Sequence, residues 1–440
     1  MKVLIISWYF PPVNTIGAVR VGKFARFMHH RGHELAVVAG SGWGVPETMP
    51  LDFPLDRLAY ARFRDVNAPL NTVARVMKKA LRRNETGAAP SAASAGAAAT
   101  GRGRPSLLRR LADLPTLVTN VPDRNIGWYV DAKRQALRLC RDWRPDIIFA
   151  SGPPYTVLMV AHTVAARLRV PWVADIRDIW ADNPYDEFDQ MPAWLQQLNR
   201  WLERRTLRTA AGLATVTPPM TRHYKALFPM PIETIYNGYD PQDFVGLSEE
   251  VVTPDRYLTL GYAGSIYTGR RDPTPLFQAL KLMGAEAENI RVVFCGTEPT
   301  HVRALAGQCG VEHLIELRPS IPYKESLRFQ RNCDALLLLM WNDVREEGVA
   351  PGKLFEYVAS LRPILMIGYE KSVAANIIGE RSAGLCSNDP SEIAARLRTW
   401  LAQKQGSGRL PSLPVSAREG LSRDIQYERL EHFLVKSAGG

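Results

Sequence analysis

Short apolar runs alternate with amphipathic stretches twice along this 440-residue chain, and that alternation leaves few folds open. Lys2–Ser7 is a continuous apolar run of the kind a parallel strand needs when helices cover both its faces. Trp8 to Ala18, with Pro11, Pro12 and Gly17, reads as a loop. Val19–Arg31 then sets Phe24, Phe27 and Met28 at helical spacing opposite Arg20, Lys23, Arg26 and Arg31. Gly32 stops that helix, and Glu34–Gly40 is the next buried run, which completes one strand–helix–strand unit.

The same alternation resumes further on. It predicts strands at Ile147–Gly152, Trp172–Asp178, Gly212–Thr217 and Ile232–Gly238, with helices at Tyr155–Leu168, Pro192–Ala210 and Pro218–Phe228 between them. A second series predicts strands at Leu258–Gly264, Ile290–Thr297, Ile315–Ser320, Ala335–Met340, Pro363–Gly368 and Gly384–Ser387. Helical patterns at Ser391–Gln403 and Ala417–Val435 follow, separated by the Gly/Ser/Pro-rich Gln405–Ser416. Strands that alternate with helices imply parallel, doubly wound sheets, so the expected fold class is α/β with two Rossmann-like domains facing a cleft. The expected division is 1–240, 241–415 and a C-terminal helical segment, 416–440, that packs back on the first domain, with the joint near Tyr239–Pro254.

Charge adds a second constraint. Lys and Arg number 55 against 44 Asp and Glu, a net of +11, which suggests an anionic partner. Between Arg75 and Arg110, nine basic residues (Arg75, Lys78, Lys79, Arg82, Arg83, Arg102, Arg104, Arg109 and Arg110) are opposed only by Glu85, so this stretch carries +8 of the total. From Gly87 to Gly103 the chain is almost only Gly, Ala, Ser, Pro and Thr, a composition that cannot bury enough apolar surface to order itself. A disordered basic insertion near 84–106, outside both sheets, is therefore expected.

Other classes are disfavoured. Cys140, Cys295, Cys309, Cys333 and Cys386 form no CxxC pair and read as reduced thiols, without a disulfide framework or zinc site. No cleavable leader pattern follows Met1, and the plainest apolar run, Ala335–Trp341, falls far short of the roughly 20 residues that cross a bilayer. Nucleic-acid motifs are absent and the basic cluster lacks interleaved aromatics, so no nucleic-acid partner is expected.

Four segments can carry chemistry. Gly17, just before a helix, allows close backbone approach of a phosphate, although it can equally be a turn glycine. Asp175 and Asp178 flank Arg177 at a strand's carboxyl end, where open α/β sheets bind ligands. Asp175, inside the apolar run, reads as scaffold, and Asp178 reads as either scaffold or site. Gly264 opens a loop carrying Arg270 and Arg271, which can clamp a diphosphate or simply be solvated. Glu346 to Tyr357 takes a Gly/Pro loop into a helix near Pro351, where free amides, the helix dipole and Lys353 suit a diphosphate. Glu356, one turn further in, is placed to accept hydrogen bonds from sugar hydroxyls. The bland reading of this last segment is an ordinary surface helix with a Lys–Glu face.

Taken in order, Ile6-Ser7-Trp8-Tyr9-Phe10-Pro11-Pro12, Arg31-Gly32-His33-Glu34-Leu35, Ala174-Asp175-Ile176-Arg177-Asp178-Ile179-Trp180, Asn237-Gly238-Tyr239-Asp240 and Gly352-Lys353-Leu354-Phe355-Glu356-Tyr357 resemble the glycosyltransferases of family GT4, with the GT-B architecture. The nearest subgroup is the WbuB-like transferases of cell-surface polysaccharide assembly. The resemblance implies a retaining, metal-independent enzyme that needs no cofactor. It would take a nucleotide sugar, with a UDP-sugar the expected donor, and pass the sugar to a lipid-linked or glycan acceptor. The acceptor would bind the N-terminal domain and the donor the C-terminal one. It further implies a catalytic set of Asp178, Arg270, Arg271 and Lys353. Gly17, Gly264, Glu347, Gly348, Val349, Ala350 and Glu356 would bind the donor, with Glu356 on the ribose. One departure stands out: the family often carries two glutamates eight positions apart, and eight before Glu356 is Gly348. Glu347 is one residue off register, so either it reaches the transferred sugar from a different loop geometry or backbone groups make those contacts.

Two other functions fit the same features. A nucleotide-sugar 2-epimerase shares the fold and would act on donor alone, and a catalytically silent partner in polysaccharide assembly would bind donor without turnover. The expected location is cytoplasmic, and the basic segment either holds the chain to the inner face of an anionic membrane, where each Lys or Arg contributes about 1 kcal/mol, or is a solvated loop that touches nothing. Changing Lys78, Lys79, Arg82 and Arg83 to Gln should reduce flotation with anionic liposomes, and equal flotation of variant and wild type would reject that attachment.

Overall fold

A computed structural model describes residues 1–41, 44, 47–66, 119–183, 191–247, 256–266 and 269–439. The Gly/Ala/Ser-rich insertion near 84–106 and its Lys/Arg flanks lie outside the described residues. The chain divides into two compact units, residues 1–213 with 434–440, and residues 214–433.

Seven strands form the first sheet: β1 (Lys2–Ser7), β2 (Glu34–Ser41), β3 (Arg57–Arg62), β4 (Ile147–Gly152), β5 (Trp172–Ile176), β6 (Gly212–Thr215) and β7 (Ile232–Thr234). Their order is β3-β2-β1-β4-β5-β6-β7. β1 is an interior strand, parallel to β2 through Lys2 opposite Glu34 and to β4 through Val3 opposite Ile147. Val3, Leu4, Ile5 and Ile6 are fully buried, so both faces of β1 are covered, which is why its sequence is a continuous apolar run.

The second sheet contains β8 (Leu258–Ala263), β9 (Ile290–Cys295), β10 (Ile315–Arg318), β11 (Ala335–Leu339), β12 (Ile364–Ile367) and β13 (Gly384–Cys386), in the order β10-β9-β8-β11-β12-β13. β11 shows how one strand serves two cores. Ala335, Leu337 and Leu339 pack with helices Thr274–Met283 and Pro390–Ser407 on one face. Leu336 and Leu338 pack with helices Gly352–Ala359 and Val373–Glu380 on the other. In both sheets the strand order reverses beside the first strand, at β1/β4 and at β8/β11, the position where open α/β sheets form a crevice at the strands' carboxyl ends. The expected α/β class with two parallel, doubly wound sheets is the observed one.

Several boundaries differ from expectation. The first helix spans Ile16–His30, because the Thr15 side chain caps it by accepting from the Ala18 amide at 3.2 Å. Gly17 therefore sits in the first helical turn, whereas the sequence placed it in a loop. β5 ends at Ile176, and just beyond it the Tyr155 hydroxyl donates to the Ile179 carbonyl at 2.7 Å. The helix expected at Ser391–Gln403 runs from Pro390 to Ser407, with Asp389 as its N-cap and Gly408, at φ 75°, after its end. In place of Ala417–Val435, a short turn at Val415–Arg418 precedes the helix Arg423–Ala438, with Gly420 at φ 74° between them. β3 and the helix Tyr129–Leu139 were not expected at all. β3 is an edge strand with half-exposed arginines at both ends, so it lacks the apolar run that marks the others.

One buried ion pair ties the first helix to β5. Arg20 donates to Asp175 through Nη2 at 2.8 Å and Nε at 3.2 Å, and Ser151 Oγ donates to the same carboxylate at 2.6 Å. Burial alone would raise the Asp175 pKa, yet Arg20 and these hydrogen bonds hold it below the ordinary value. Asp175 is thus scaffold, as its place in the apolar run implied. Replacing Arg20 by Ala would leave a buried carboxylate without its partner, so a loss of about 3–5 kcal/mol is expected in urea unfolding.

Candidate functional site

The second unit gathers its polar side chains where β8 and β11 end. β8 runs into Gly264, whose φ of 125° lies in the region that favours glycine. A Cβ built there would overlap the Lys353 side chain, clashing with Nζ and lying 2.9 Å from Cε. The missing side chain thus makes room for the lysine. Lys353 is the second residue of helix Gly352–Ala359, which begins after Pro351 as an N-cap in extended conformation with no side-chain cap. Its Nζ lies 4.6 Å from the centre of the Tyr262 ring.

Among the described residues no carboxylate reaches ion-pair distance of Lys353. Burial, reinforced by the nearby Arg271 charge and only partly opposed by Glu356, lowers its pKa from 10.5 to about 8. Arg271 Nη1 donates to the Ser265 carbonyl at 3.0 Å, which holds the second cation on the Gly264 loop. Two positive groups that repel each other in a partly desolvated place form a site suited to an anion.

Glu356 lies one turn along the same helix. Gln330 Nε2 donates to its Oε2 at 3.2 Å, and Tyr323 lies nearby with its hydroxyl donating to Asp243 Oδ2 at 3.1 Å. Burial raises the Glu356 pKa against the Gln330 hydrogen bond and the Arg423 and Lys353 charges. Gln330 is in turn held by Ser360, whose Oγ donates to Oε1 at 3.3 Å. Tyr262, Tyr323 and Gln330 were not singled out from the sequence. Tyr323 and Gln330 are seven residues apart on helix Tyr323–Asn332, two turns on one face, and only the fold shows that this face meets Glu356.

The remaining candidates separate. Arg270 is exposed, with its guanidinium 5.1 Å from the centre of the Trp341 ring, and Arg345 lies 3.8 Å from the same ring. Glu347 is half-exposed, 3.6 Å from Arg222, and its carbonyl accepts from the Val373 amide at 2.9 Å. The Gly348 carbonyl accepts from Thr217 Oγ1 at 2.8 Å. The Val349 amide, expected to face a ligand, donates instead to the Glu346 carbonyl at 3.0 Å. Val349 and Ala350 pack their side chains against the core below. Among the described residues no group of three or more His, Cys, Asp or Glu side chains could hold a metal ion.

In the first unit, Gly17 lies under Tyr9 and Arg177, and a Cβ there would come within 2.8 Å of Arg177 Nη1 and 2.9 Å of the Tyr9 ring. Arg177 donates to the carbonyls of Pro153 at 2.7 Å and Gly152 at 3.3 Å, which fixes it beside the β1/β4 reversal. Burial lowers its pKa, and Asp175 opposes that shift. Asp178 is exposed beyond the end of β5.

Two doubly wound parallel sheets of this kind define the GT-B type of glycosyltransferase fold. Solved structures share it over nearly the whole chain. UDP-bound HepE from Anabaena matches with a TM-score of 0.58 at 12% identity, covering 99% of this chain and 100% of that one. Sucrose-phosphate synthase from Thermosynechococcus elongatus matches at 0.60 and 10%, covering 99% and 98%. WaaG, a glycosyltransferase involved in lipopolysaccharide biosynthesis, matches at 0.53 and 13%, covering 99% of both chains. The glycosyl transferase 4-like domain matches residues 17–238, just over half of the sequence, and the chain belongs to that family of glycosyltransferases. No curated protein sequence matches it.

Gly264→Ala should force Lys353 out of its place and strain the backbone at once. A loss of more than about 1 kcal/mol is expected, read as a lower thermal midpoint, and an unchanged midpoint would show that Lys353 does not depend on this approach.

Proposed function

We propose that this enzyme takes a sugar from a nucleotide-sugar donor, with UDP as the nucleotide, and passes it to a lipid-linked or polysaccharide-precursor acceptor. In this reading the anomeric configuration is retained and no metal takes part. The observation that carries it is the pairing of the half-buried Lys353 ammonium with Arg271 where β8 and β11 end, with no carboxylate at ion-pair distance of the lysine among the described residues.

As the bond between the sugar's anomeric carbon and the diphosphate breaks, negative charge grows on the leaving oxygen. Lys353 and Arg271, already desolvated and held, would stabilise that charge without first having to organise themselves. The amides at the start of helix Gly352–Ala359 would add to their effect. The acceptor hydroxyl oxygen forms the new bond to the anomeric carbon and passes its proton to the departing diphosphate oxygen. Glu356, fixed by Gln330, would accept hydrogen bonds from the ribose hydroxyls. That HepE has been solved with UDP and with UDP-glucose supports a uridine donor. A WbuB-like place in cell-surface polysaccharide assembly, at an anionic membrane, is part of the same reading.

A thermal-shift screen of UDP-, GDP- and dTDP-sugars should show stabilisation by the UDP series. Lys353→Ala should lower kcat/KM about 100-fold or more, the usual effect of removing one preorganised donor to a developing charge. Glu356→Gln should mainly weaken donor binding. Because the Lys353 pKa is lowered to about 8, the free enzyme loses this charge as pH rises through that value. UDP affinity should then fall above about pH 8, with proton uptake on binding that Lys353→Ala abolishes. Full activity of Lys353→Ala, or no shift with any nucleotide sugar, would overturn the assignment.

A further inference from the structure

Helix Ala193–Leu207 belongs to the first unit and has one face committed to its core. Leu195, Asn199, Glu203, Thr206 and Leu207 are buried. The opposite face carries Trp194, Gln197, Trp201, Arg204 and Arg205, continued by Arg208 just past the helix end. At 100° per residue these six positions fall within an arc of about 100°. Trp194 is 51% and Trp201 54% exposed, an unusual cost for the two largest side chains on a helix that has a core at its back. They lie two turns apart along the same line.

The charge on this face has one sign. Arg204, Arg205 and Arg208 are exposed, and no carboxylate lies within ion-pair distance of any of them among the described residues. The helix's one glutamate, Glu203, points inward. Arg200, at the edge of the face, is paired with Asp182 at 2.5 Å. The Arg205 guanidinium lies 5.3 Å from the centre of the Trp201 ring. Arg205 and Arg208 also help burial lower the pKa of His162 on the neighbouring helix Thr156–Leu168.

We propose that this face is a docking surface for an anionic lipid bilayer, with Trp194 and Trp201 seated among the headgroups and Arg204, Arg205 and Arg208 on lipid phosphates. The combination fits that partner for a physical reason. Tryptophan gains most at the boundary between water and hydrocarbon, where its ring is buried and its N–H stays wet. Arginine carries its charge to phosphate on a long apolar stem. Because its other face is held by the core, the helix would touch the bilayer through side chains only and lie along its surface. None of these residues belongs to the basic stretch 75–110 of the sequence. The choice of a bilayer over other anionic partners rests partly on the lipid-linked acceptor proposed above.

The test is flotation of the full-length protein with vesicles of phosphatidylcholine alone and of phosphatidylcholine mixed with phosphatidylglycerol. Wild type should float with the anionic vesicles and much less with the neutral ones. Trp194→Ala with Trp201→Ala should lower partitioning about tenfold, and Arg204, Arg205 and Arg208 changed together to Gln about a hundredfold. The same three changed to Lys should retain most of it, which guards against a merely misfolded variant. UDP-induced thermal shift should be unchanged in all three. Equal flotation of the Trp and Gln variants with wild type would overturn the proposal. So would equal wild-type binding to neutral vesicles, or a Trp-dependent dimer in sedimentation that accounts for the exposed face. Loss of the UDP shift in wild type with vesicle binding intact would count against the donor assignment and leave this surface standing.

Discussion

The constraint on which the rest of this structure depends is that its central strands are buried on both faces. A parallel strand in that position can carry almost no polar side chain, so chemistry is displaced to the loops at the strands' carboxyl ends. β11 spends alternate residues on two different cores and has none left over for a ligand. The polar residues of the second unit therefore collect just past β8 and β11, on the Gly264 loop and at the start of helix Gly352–Ala359. Where a charge does enter a strand, at Asp175, it is matched at once by Arg20 and Ser151.

The same displacement explains why Lys353 is costly. Its charged form is disfavoured by burial and by Arg271, while Tyr262 and the more distant Glu356 compensate only in part. Gln330, itself held by Ser360, holds Glu356 from behind, so the carboxylate is positioned before anything binds. The unit spends stability to keep two cations and a carboxylate ready.

Most strands of both sheets were legible in the sequence, because an apolar run covered on both faces leaves a plain mark. β1 and β4 fall at the expected residues, Lys2–Ser7 and Ile147–Gly152. β3 was not legible, since RLAYAR at a sheet edge keeps its arginines and loses the mark. Caps decided the helix ends: Thr15 drew Gly17 into a helical turn, and Gly420 split the last helix from the turn before it. For the site, Lys353, Glu356, Gly264 and Arg271 could be named from loop composition and position. That Arg270 leans on Trp341 while Arg271 faces Lys353 could not, because neighbours in sequence part company only once the loop has a shape. Tyr262 and Gln330 gave no signal, since their contacts join segments distant in sequence.

The close approach of Lys353 to Gly264 also bears on how such a chain can change over time. The space that the lysine occupies is the space that any side chain at position 264 would need. A side chain at 264 must push the flexible end of the Lys353 side chain aside and must also accept an unfavourable backbone angle. The two positions, 89 apart in sequence, are in that sense coupled. A change at the glycine is felt at position 353 as a displaced ammonium, while the backbone strain falls on position 264 itself.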